Sequence, residues 1–301
     1  MRDVSSKSNT LRTAKASAII TASAKTILAI KSGNAPKANP IEVAKVAGIQ
    51  AAKNTSAIIP YCHQVPLDFV GVEIQLNKTS ISISTEVKAL YKTGVEMEAL
   101  VAASASALTL YDMLKPIDET MEIVSVKILE KKGGKSSLKE NGKGLTAAVL
   151  VLSDSVSKGE KQDGSGKLLK EKLENYKLRV TSFKILPDEK EKIERELKEL
   201  CDKKKIDLII TTGGTGISPR DVTPEATLAV IERRLEGIEK TLHEYGQSRF
   251  PKAMFSRGVV GVRGKTLLIN LPGSVNAVND GINALFPQIF HTFRMMKGER
   301  H

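Results

Sequence analysis

The first 130 residues combine apolar residues at helical spacing with apolar residues that alternate. Helical spacing covers Ile41–Lys53 and the alanine- and methionine-rich stretch Gly94–Leu114. Alternation over Val70–Leu76 and Ile81–Val87 predicts half-buried strands, and Met121–Leu129 predicts a further strand that closes this half. Helices and strands in this mixture predict an α+β domain.

The remainder of the chain alternates strands with helices. The apolar pattern predicts strands at Ala147–Leu152, Arg179–Leu186, Leu208–Thr212 and Thr266–Asn270. Helical spacing predicts helices at Lys167–Asn175, Lys190–Lys203 and Pro224–Arg234, and a last one from Val275 to about Met296. This order predicts an α/β domain with a largely parallel, doubly wound sheet.

The segment Lys131–Gly144 separates the two patterns. Its sequence is KKGGKSSLKENGKG, and Leu138 is its only large apolar residue. Glycine, lysine and serine in these proportions are typical of a flexible or solvated connector. We therefore predict a first domain over residues 1–137, a linker over 138–145 and a second domain over 146–301.

The charge of the chain favours small anionic partners. Lys and Arg total 46 against 34 Asp and Glu, which gives a net charge of +12. The surplus is spread evenly, since residues 1–144 hold 19 basic and 13 acidic residues and residues 145–301 hold 27 and 21. Aromatic residues make up only 4% and tryptophan is absent, so stacking platforms for nucleic acid are scarce. Phosphorylated small molecules therefore fit better than nucleic acid.

The cysteines and the N-terminal pattern bear on the compartment. Cys62 and Cys201 are the only cysteines, so we do not expect a disulfide framework. We expect a reducing compartment instead. The stretch Ala16–Ile30 is interrupted by Lys25 and several hydroxyl residues, which argues against a signal peptide or a membrane span. We expect a cytoplasmic protein with no membrane partner.

The sequence IDLIITTGGTGISPRDVTPEA, which begins at Ile206, has the features of a phosphate-binding loop. A predicted strand leads into a turn whose glycine N–H groups can converge on an anion beside threonine hydroxyls. Thr223 and Pro224 are typical of the N-cap and first residue of a helix that points at the same place. The predicted ligand-binding residues are Thr212, Gly213, Gly214, Thr215, Gly216 and Arg220, the last as a fork for phosphate.

Simpler interpretations compete with this one. A glycine-rich turn alone carries no ligand about as often as it carries one. A Walker loop is not supported, because Leu129 stands where the first glycine would have to precede Lys135-Ser136. For Asp188 the alternative to a catalytic role is helix capping, and for Asp221 the two interpretations are equally favoured.

Four stretches of the second half resemble the molybdopterin adenylyltransferase family, the Mog- and MoaB-type proteins. They are LSDS with DGSG at 152–155 and 163–166, LPDE at 186–189, the TTGGTG-to-DVTP block at 211–224, and INLPGS at 269–274. The resemblance implies transfer of AMP from Mg-ATP to the phosphate of molybdopterin. It also implies that Asp188 and Asp221 are catalytic and bind Mg²⁺, and that Ser274 binds substrate. Two carboxylates on separate loops can share one Mg²⁺, which offsets the repulsion between two phosphates.

Single motifs in the first half are less specific. Asp112 and Lys115 are three residues apart on a predicted helix and share a face, where a surface ion pair is the simpler interpretation. Glu96 and Glu98 are two residues apart and need not converge. A lone histidine such as His63 is more often structural than a ligand.

Taken together, stretches of the first half resemble the cyclic pyranopterin monophosphate synthase family, the MoaC-type proteins. They are MRDVS at 1–5, AGIQAAK at 47–53, IPYCH at 59–63, KTGVEMEA at 92–99, LYDMLK at 110–115 and KGGKS at 132–136. The resemblance implies a ferredoxin-like α+β fold. It also implies conversion of 3′,8-cyclo-7,8-dihydroguanosine triphosphate into cyclic pyranopterin monophosphate with release of pyrophosphate. The implied catalytic residues are Asp112 and Lys115, and the implied substrate-binding residues are Lys37, His63, Glu96, Glu98 and Lys131.

Departures from the family pattern and rival functions remain. Gln64 stands where Pro is usual, and Ala38-Asn39-Pro40 stands where Gly-Asp-Val is usual. The first hypothesis is a bifunctional enzyme, and the second joins the synthase to a molybdopterin-binding module without turnover. A nucleic-acid binder is the third and least favoured. The resemblance further implies a homo-oligomer, hexameric for the first domain and trimer-based for the second.

Overall fold

The computed structural model describes residues 1–134 and 140–298 and divides into two compact units, Met1–Ser137 and Leu138–His301. Each unit has its own hydrophobic core, as separate domains do. The first two positions of the predicted linker, and Lys135-Ser136 of the KGGKS stretch, lie outside the described residues.

The first unit has the ferredoxin-like arrangement. Its elements are β1 (Thr10–Thr21), α1 (Ala24–Lys31), α2 (Pro40–Lys53), α3 (Thr55–Ile58), β2 (Phe69–Leu76), β3 (Ser80–Tyr91), α4 (Glu96–Leu114) and β4 (Glu122–Lys132). The sheet order is β2-β3-β1-β4, and every neighbouring pair is antiparallel. This order confirms the predicted α+β fold.

Helix α4 lies on the sheet through small side chains. Ala99, Ala103 and Ala107 of α4 share a buried core with Ala14 and Ala16 of β1. Short side chains on both elements allow the close packing that interiors require. By length and composition alone α4 could cross a membrane, but half of its apolar stretch is buried within the unit, as in a core helix.

The second unit is an α/β domain. Its elements are β5 (Thr146–Leu152), α5 (Asp154–Ser157), α6 (Ser165–Asn175), β6 (Arg179–Leu186), α7 (Lys190–Lys198), β7 (Leu208–Thr212), α8 (Thr223–Leu228), β8 (Arg233–Arg234), α9 (Glu236–Gln247), β9 (Val260–Arg263), β10 (Thr266–Leu271), α10 (Val275–Leu285) and α11 (His291–Met296). The sheet order is β6-β5-β7-β10-β9-β8; the first four strands are parallel, and β9 and β8 are antiparallel to their neighbours. The predicted, largely parallel sheet is confirmed.

The register of the central strands places three loops at one edge. Thr212 at the end of β7 pairs with Val151 of β5 on one side and with Leu271 of β10 on the other. Strands β5, β7 and β10 are buried on both faces, which explains their nearly continuous apolar sequences. The loops that follow these three strands therefore leave the sheet side by side.

The helix predicted over Lys190–Lys203 is present as α7 followed by a π-helix over Glu199–Lys203, whereas two other predicted helices are shorter than expected. The helix predicted over Pro224–Arg234 ends at Leu228, and Arg233–Arg234 form β8 instead. The helix predicted from Val275 to about Met296 is divided into α10 and α11. The break contains Pro287, which lacks an N–H and cannot continue a helix from the preceding turn.

Candidate active sites

The glycine turn follows β7 and lies against the backbone of two neighbouring strands. The N–H of Gly213 donates to the carbonyl of Leu271 over 3.0 Å, and a Cβ on Gly213 would overlap the carbonyl of Leu152. Gly213 and Gly214 have φ angles of +108° and +60°, which other residues rarely adopt. The turn is thereby fixed at the carboxyl edge of the sheet, where open α/β sheets bind ligands.

The threonine hydroxyls beside the turn bind the protein itself. Thr212 Oγ1 donates to the carbonyl of Pro272 over 3.0 Å, and Thr215 Oγ1 lies 3.1 Å from Ser256 Oγ. Both threonines are buried. Their side chains connect the turn to the neighbouring loops.

Asp188 lies beside the turn with one oxygen unpaired. A Cβ on Gly214 would lie 2.8 Å from Asp188 Oδ1 and would overlap Thr223 Oγ1. Asp188 Oδ1 is buried and has no hydrogen-bond partner among the described residues. Burial raises the pKa of Asp188, and the carboxylates of Asp154 and Asp221 raise it further. A bound cation or a hydrogen-bond donor would stabilise the ionised carboxylate of Asp188.

Asp221 also lies beside the turn. Its Oδ2 accepts the N–H of Ser218 over 2.8 Å, and a Cβ on Gly216 would lie 2.8 Å from the same oxygen. The structure thus brings Asp188 and Asp221 together at the glycine turn, although they are distant in sequence. Asp188 does not cap a helix through its side chain: α7 begins at Lys190 with Glu189 as its N-cap residue.

The helix after the turn begins differently from the prediction. Thr223 is the first residue of α8, and the N-cap position is held by Val222, which makes no side-chain capping bond. Thr223 Oγ1 instead donates to the carbonyl of Gly213 over 3.0 Å, and its N–H donates to the carbonyl of Gly214. The predicted capping role of Thr223 is therefore wrong, because its hydroxyl stabilises the turn.

Asp154 belongs to this site, but no role was predicted for it. Its carboxylate accepts two hydrogen bonds from Arg220, from Nε at 3.0 Å and from Nη2 at 2.7 Å. It also exchanges backbone-to-carboxylate bonds with Asp188. The signal was available, since Asp154 follows β5 at the carboxyl edge of the sheet. Arg220, the predicted phosphate fork, is paired with Asp154 here.

Two further residues border the turn. Ser274 is the N-cap of α10, and its hydroxyl accepts the N–H of Ala277 over 3.2 Å. A Cβ on Gly273 would lie 3.2 Å from Gly213 Cα, so the start of α10 adjoins the glycine turn. Arg257, for which no role is predicted, donates to the carbonyls of Gly216 and Asp221 over 2.7 Å each.

The carboxylate oxygens at this edge of the sheet suit a cation that also binds the phosphates of a ligand. Among residues 1–134 and 140–298, no group of three or more His, Cys, Asp or Glu side chains could hold a metal ion by itself. Mg²⁺ is usually held by one or two carboxylates together with substrate phosphates. Asp188, with its unpaired Oδ1, and Asp221 fit that description.

In the first unit, Lys37, Asp112 and Lys115 form one cluster. Lys37 Nζ lies 3.0 Å from Asp112 Oδ2, and Lys115 Nζ lies 2.8 Å from Asp112 Oδ1. The hydrogen bond from Lys115 lowers the pKa of Asp112 most, followed by the bond from Lys37. All three side chains are exposed, so two cations and one carboxylate face solvent at the C-terminal end of α4.

A second cluster lies at the N-terminal end of α4. Lys131 Nζ lies 3.4 Å from Glu96 Oε1. Glu98 is only 2% exposed, and Cys62 Sγ donates to its Oε1 over 3.7 Å, while its Oε2 has no partner among the described residues. Burial raises the pKa of Glu98. His63 lies close enough to Asp3 to contribute to the lowered pKa of that carboxyl, which the N–H of Ser5 lowers most.

One chain does not bring all the predicted residues of the first half together. Glu96 and Asp112 are separated by 16 positions along one helix. At 1.5 Å per residue this corresponds to about 24 Å. The clusters at the two ends of α4 therefore cannot contact one small substrate within a single chain.

Arg12 supports the second cluster and was not predicted. It is 8% exposed, and it donates to the carbonyls of Tyr91 and Lys92 over 3.1 and 3.2 Å. A Cβ on Gly134 would overlap its guanidinium. Burial lowers the pKa of Arg12, and Glu96 opposes this effect. Arg12 thus fixes the start of the KTGVEMEA stretch against the glycines of KGGKS.

Two family models match separate parts of the chain. Residues 1–134 match the MoaC family, and residues 148–291 match the family described as "Probable molybdopterin binding domain". A "Molybdenum cofactor biosynthesis bifunctional protein" of Chlorobaculum tepidum is 43% identical over 301 residues, covering 100% of this chain and 96% of that protein. A "Cyclic pyranopterin monophosphate synthase" of Syntrophomonas wolfei is 49% identical over 138 residues, covering 45% of this chain and 88% of that protein.

A solved structure matches about half of the chain. The crystal structure of the molybdopterin biosynthesis enzyme MoaB from Thermus thermophilus is 36% identical and covers 51% of this chain and 97% of its own. The TM-score of this match is 0.49.

Proposed function

Because this chain belongs to the bifunctional proteins of molybdenum cofactor biosynthesis, we propose that its halves catalyse two separate steps of that synthesis. The first half converts 3′,8-cyclo-7,8-dihydroguanosine triphosphate into cyclic pyranopterin monophosphate and pyrophosphate. The second half transfers AMP from ATP to the phosphate of molybdopterin and releases pyrophosphate. The observation that carries the second assignment is the unpaired, buried Oδ1 of Asp188 beside Gly214.

The glycine turn and Arg220 bind the phosphates in this proposal. Glycine N–H groups at the carboxyl edge of the sheet supply donors without side chains in the way. Arg220 is paired with Asp154 in the free protein and can turn to a phosphate, which offers more acceptor oxygens than one carboxylate. The side chain of Asp154 then remains to hold Asp188 in place.

Asp188 and Asp221 would hold the Mg²⁺ that such a transfer requires. When bound, the ion would offset the negative charge of the reacting phosphates. Asp188 fits this role because burial and neighbouring carboxylates raise its pKa, and because no donor within the described residues binds its Oδ1. The chain itself orients the two carboxylates through Asp154 and Ser218.

The two clusters on α4 divide the chemistry of the first reaction. Lys37 and Lys115 flank Asp112 and would bind the triphosphate and exchange protons with the ring. Glu98, buried and with a raised pKa, keeps its proton to higher pH than an exposed carboxyl and can donate it. Glu96, Lys131 and His63 complete the polar lining at that end.

We propose that the first site is built from two chains, since about 24 Å of helix separates its clusters in one chain. A mixing experiment tests this. Variants Asp112→Ala and Glu98→Gln are each expected to be inactive in pyranopterin formation. Co-expressed, they should regain activity, because a mixed pair of chains contains one site with both intact clusters. No recovery in isolated mixed oligomers would contradict a shared site.

One assay of the intact chain tests both activities. The protein is incubated with the cyclised GTP intermediate, and separately with Mg-ATP and molybdopterin, and the products are identified by mass spectrometry. Cyclic pyranopterin monophosphate and adenylylated molybdopterin are the expected products. If molybdopterin binds but no pyrophosphate is released, the second half is a binding module, the alternative function.

The remaining proposals follow from the same chemistry. The ligands are small and phosphorylated, so no nucleic acid or membrane partner is proposed. Cys62 and Cys201 are both free thiols, which is consistent with a cytoplasmic location.

A further inference from the structure

We propose that Arg257 is a positioning residue for the second reaction, one that locks the glycine turn and the Asp221 segment together. The inference rests on the proposed adenylyl transfer. It concerns a residue on the loop before β9, outside the glycine turn and outside the stretches that carry Asp188 and Asp221.

Arg257 binds both catalytic segments at once. Its backbone N–H donates to the carbonyl of Thr215 over 2.8 Å, and its Nε donates to the carbonyl of Gly216 over 2.7 Å. Its Nη2 donates to the carbonyl of Asp221 over 2.7 Å. Its Nη1 pairs with Glu225 on α8. One side chain therefore joins the turn, the Asp221 loop and the following helix.

These bonds determine which way the peptide N–H groups face. In a trans peptide the carbonyl and the next N–H point in opposite directions. With the carbonyls of Thr215, Gly216 and Asp221 held by Arg257, the next N–H groups point away from Arg257. Those N–H groups belong to Gly216, Ile217 and Val222. An anion site needs this orientation, with donors towards the ligand and carbonyl oxygens turned away.

The guanidinium is itself held in place. Glu225 lies on α8, three residues after Val222, and Arg257 lowers the pKa of its carboxyl more than any other neighbour. Three of the five N–H donors of Arg257 are thereby engaged within the protein. A lysine could retain the charge but not the three divergent bonds, because its donors lie on a single nitrogen. Arg257 thus acts through Asp221 and the turn and not as a ligand contact.

The test compares Arg257 with Arg263, an arginine whose guanidinium also binds a carboxylate and a backbone carbonyl. Arg263 on β9 binds the carboxylate of Asp202 through Nε and Nη2 and the carbonyl of Val230 through Nη1. Arg257→Lys and Arg263→Lys are made in the full chain. The kcat and KM for ATP and for molybdopterin are measured, together with pyranopterin formation by the first half as an internal standard for intact protein.

Arg257→Lys is expected to lower kcat for adenylyl transfer about 10- to 100-fold, the usual effect of losing a group that orients functional residues. Pyranopterin formation should stay unchanged, and Arg263→Lys should stay within about twofold of wild type in both assays. Arg257→Ala should regain part of its kcat when guanidinium ion is added at low millimolar concentration, which a loss of folded protein would not allow. Equal kcat values for Arg257→Lys and Arg263→Lys, or no regain by Arg257→Ala, would overturn the proposal.

A wild-type chain without adenylyl transfer would contradict the proposed function and not the role of Arg257. In that case ATP binding in the presence of Mg²⁺ is measured by calorimetry for the same variants. Weaker binding by Arg257→Lys alone supports the positioning of the turn, and equal binding by both variants refutes it.

Discussion

Asp154 and Asp188 each donate their backbone N–H to the other's carboxylate, over 3.1 and 3.0 Å. The pair joins the loop after β5 to the loop after β6. Asp154 also accepts two hydrogen bonds from Arg220. The carboxylate of Asp154 therefore positions both Asp188 and Arg220. Asp154 carries no predicted contact with substrate, yet the geometry of the site depends on it.

Asp154→Asn should shift the acid limb of the adenylyl-transfer profile to lower pH. Burial raises the pKa of Asp188 most, and the negative charge of Asp154 raises it further. Removing that charge lowers the pKa of Asp188, so Asp188 is ionised at lower pH. The rate at neutral pH should fall about 10- to 100-fold, because the carboxylate that accepts the N–H of Asp188 and positions this residue is lost. Asp202→Asn, which removes the partner of Arg263, is the control and should move neither quantity.

Gly214→Ala should strongly lower kcat for adenylyl transfer, whereas Gly264→Ala should affect only stability. Both glycines have positive φ, +60° and +55°, so both substitutions carry a similar backbone cost, about 1 kcal/mol. A Cβ at Gly214 would overlap Thr223 Oγ1, while a Cβ at Gly264 would meet nothing within 4 Å. We expect a loss of at least ~100-fold in kcat for Gly214→Ala, since a small displacement of reacting groups has that effect. Thermal unfolding of both variants, beside their kcat values, separates the two contributions.

Asp112→Ala should lower pyranopterin formation by about 10²- to 10⁴-fold, the range of acid–base contributions, and leave adenylyl transfer unchanged. Asp112 is the only carboxylate within salt-bridge distance of Lys37 and Lys115 among the described residues. Glu42→Ala is the matched control, since Glu42 and Lys45 form an exposed ion pair at the same i,i+3 spacing on α2. Equal rates for the two variants would refute a role for Asp112.

Glu98→Gln should flatten the dependence of unfolding free energy on pH. The pKa of Glu98 is raised in the folded state, chiefly by burial, so the folded chain binds its proton more tightly than the unfolded chain does. Its contribution to stability is therefore largest below the unfolded pKa and is lost as pH rises through the folded pKa. The glutamine side chain does not titrate, so it makes no such pH-dependent contribution. Urea unfolding at several pH values should show wild type losing stability relative to Glu98→Gln as pH rises above about 4.5.

Much of the fold could be predicted because long apolar patterns dominate it. Strands Arg179–Leu186 and Leu208–Thr212 have the predicted bounds. Strand β1 was not predicted, because its buried positions carry Ala14, Ala16 and Ala18, whose small side chains give a weak alternation. The partner helix α4, also rich in alanine, packs with that strand in the buried core of the first unit.

The candidate sites were predictable where motifs follow strands and less so where contacts join distant loops. The glycine turn and Asp221 lie within one continuous stretch of sequence. Arg257 acts through backbone carbonyls, which leave no residue-type signature, whereas Asp154 could have been singled out because it follows β5 at the carboxyl edge of the sheet. Local sequence also gave no sign that Lys37 would reach Asp112, 75 positions later.

The length of α4 has a consequence for the evolution of the first half. The helix fixes the distance between the two clusters, since its 19 residues carry Glu96 and Glu98 at one end and Asp112 near the other. An insertion or deletion of one residue between them would rotate the far end by about 100° and translate it by about 1.5 Å. Either the alanine face of α4 would no longer pack on the sheet, or Asp112 would no longer lie beside Lys37 and Lys115. We therefore expect length changes to accumulate in the loops and not within α4.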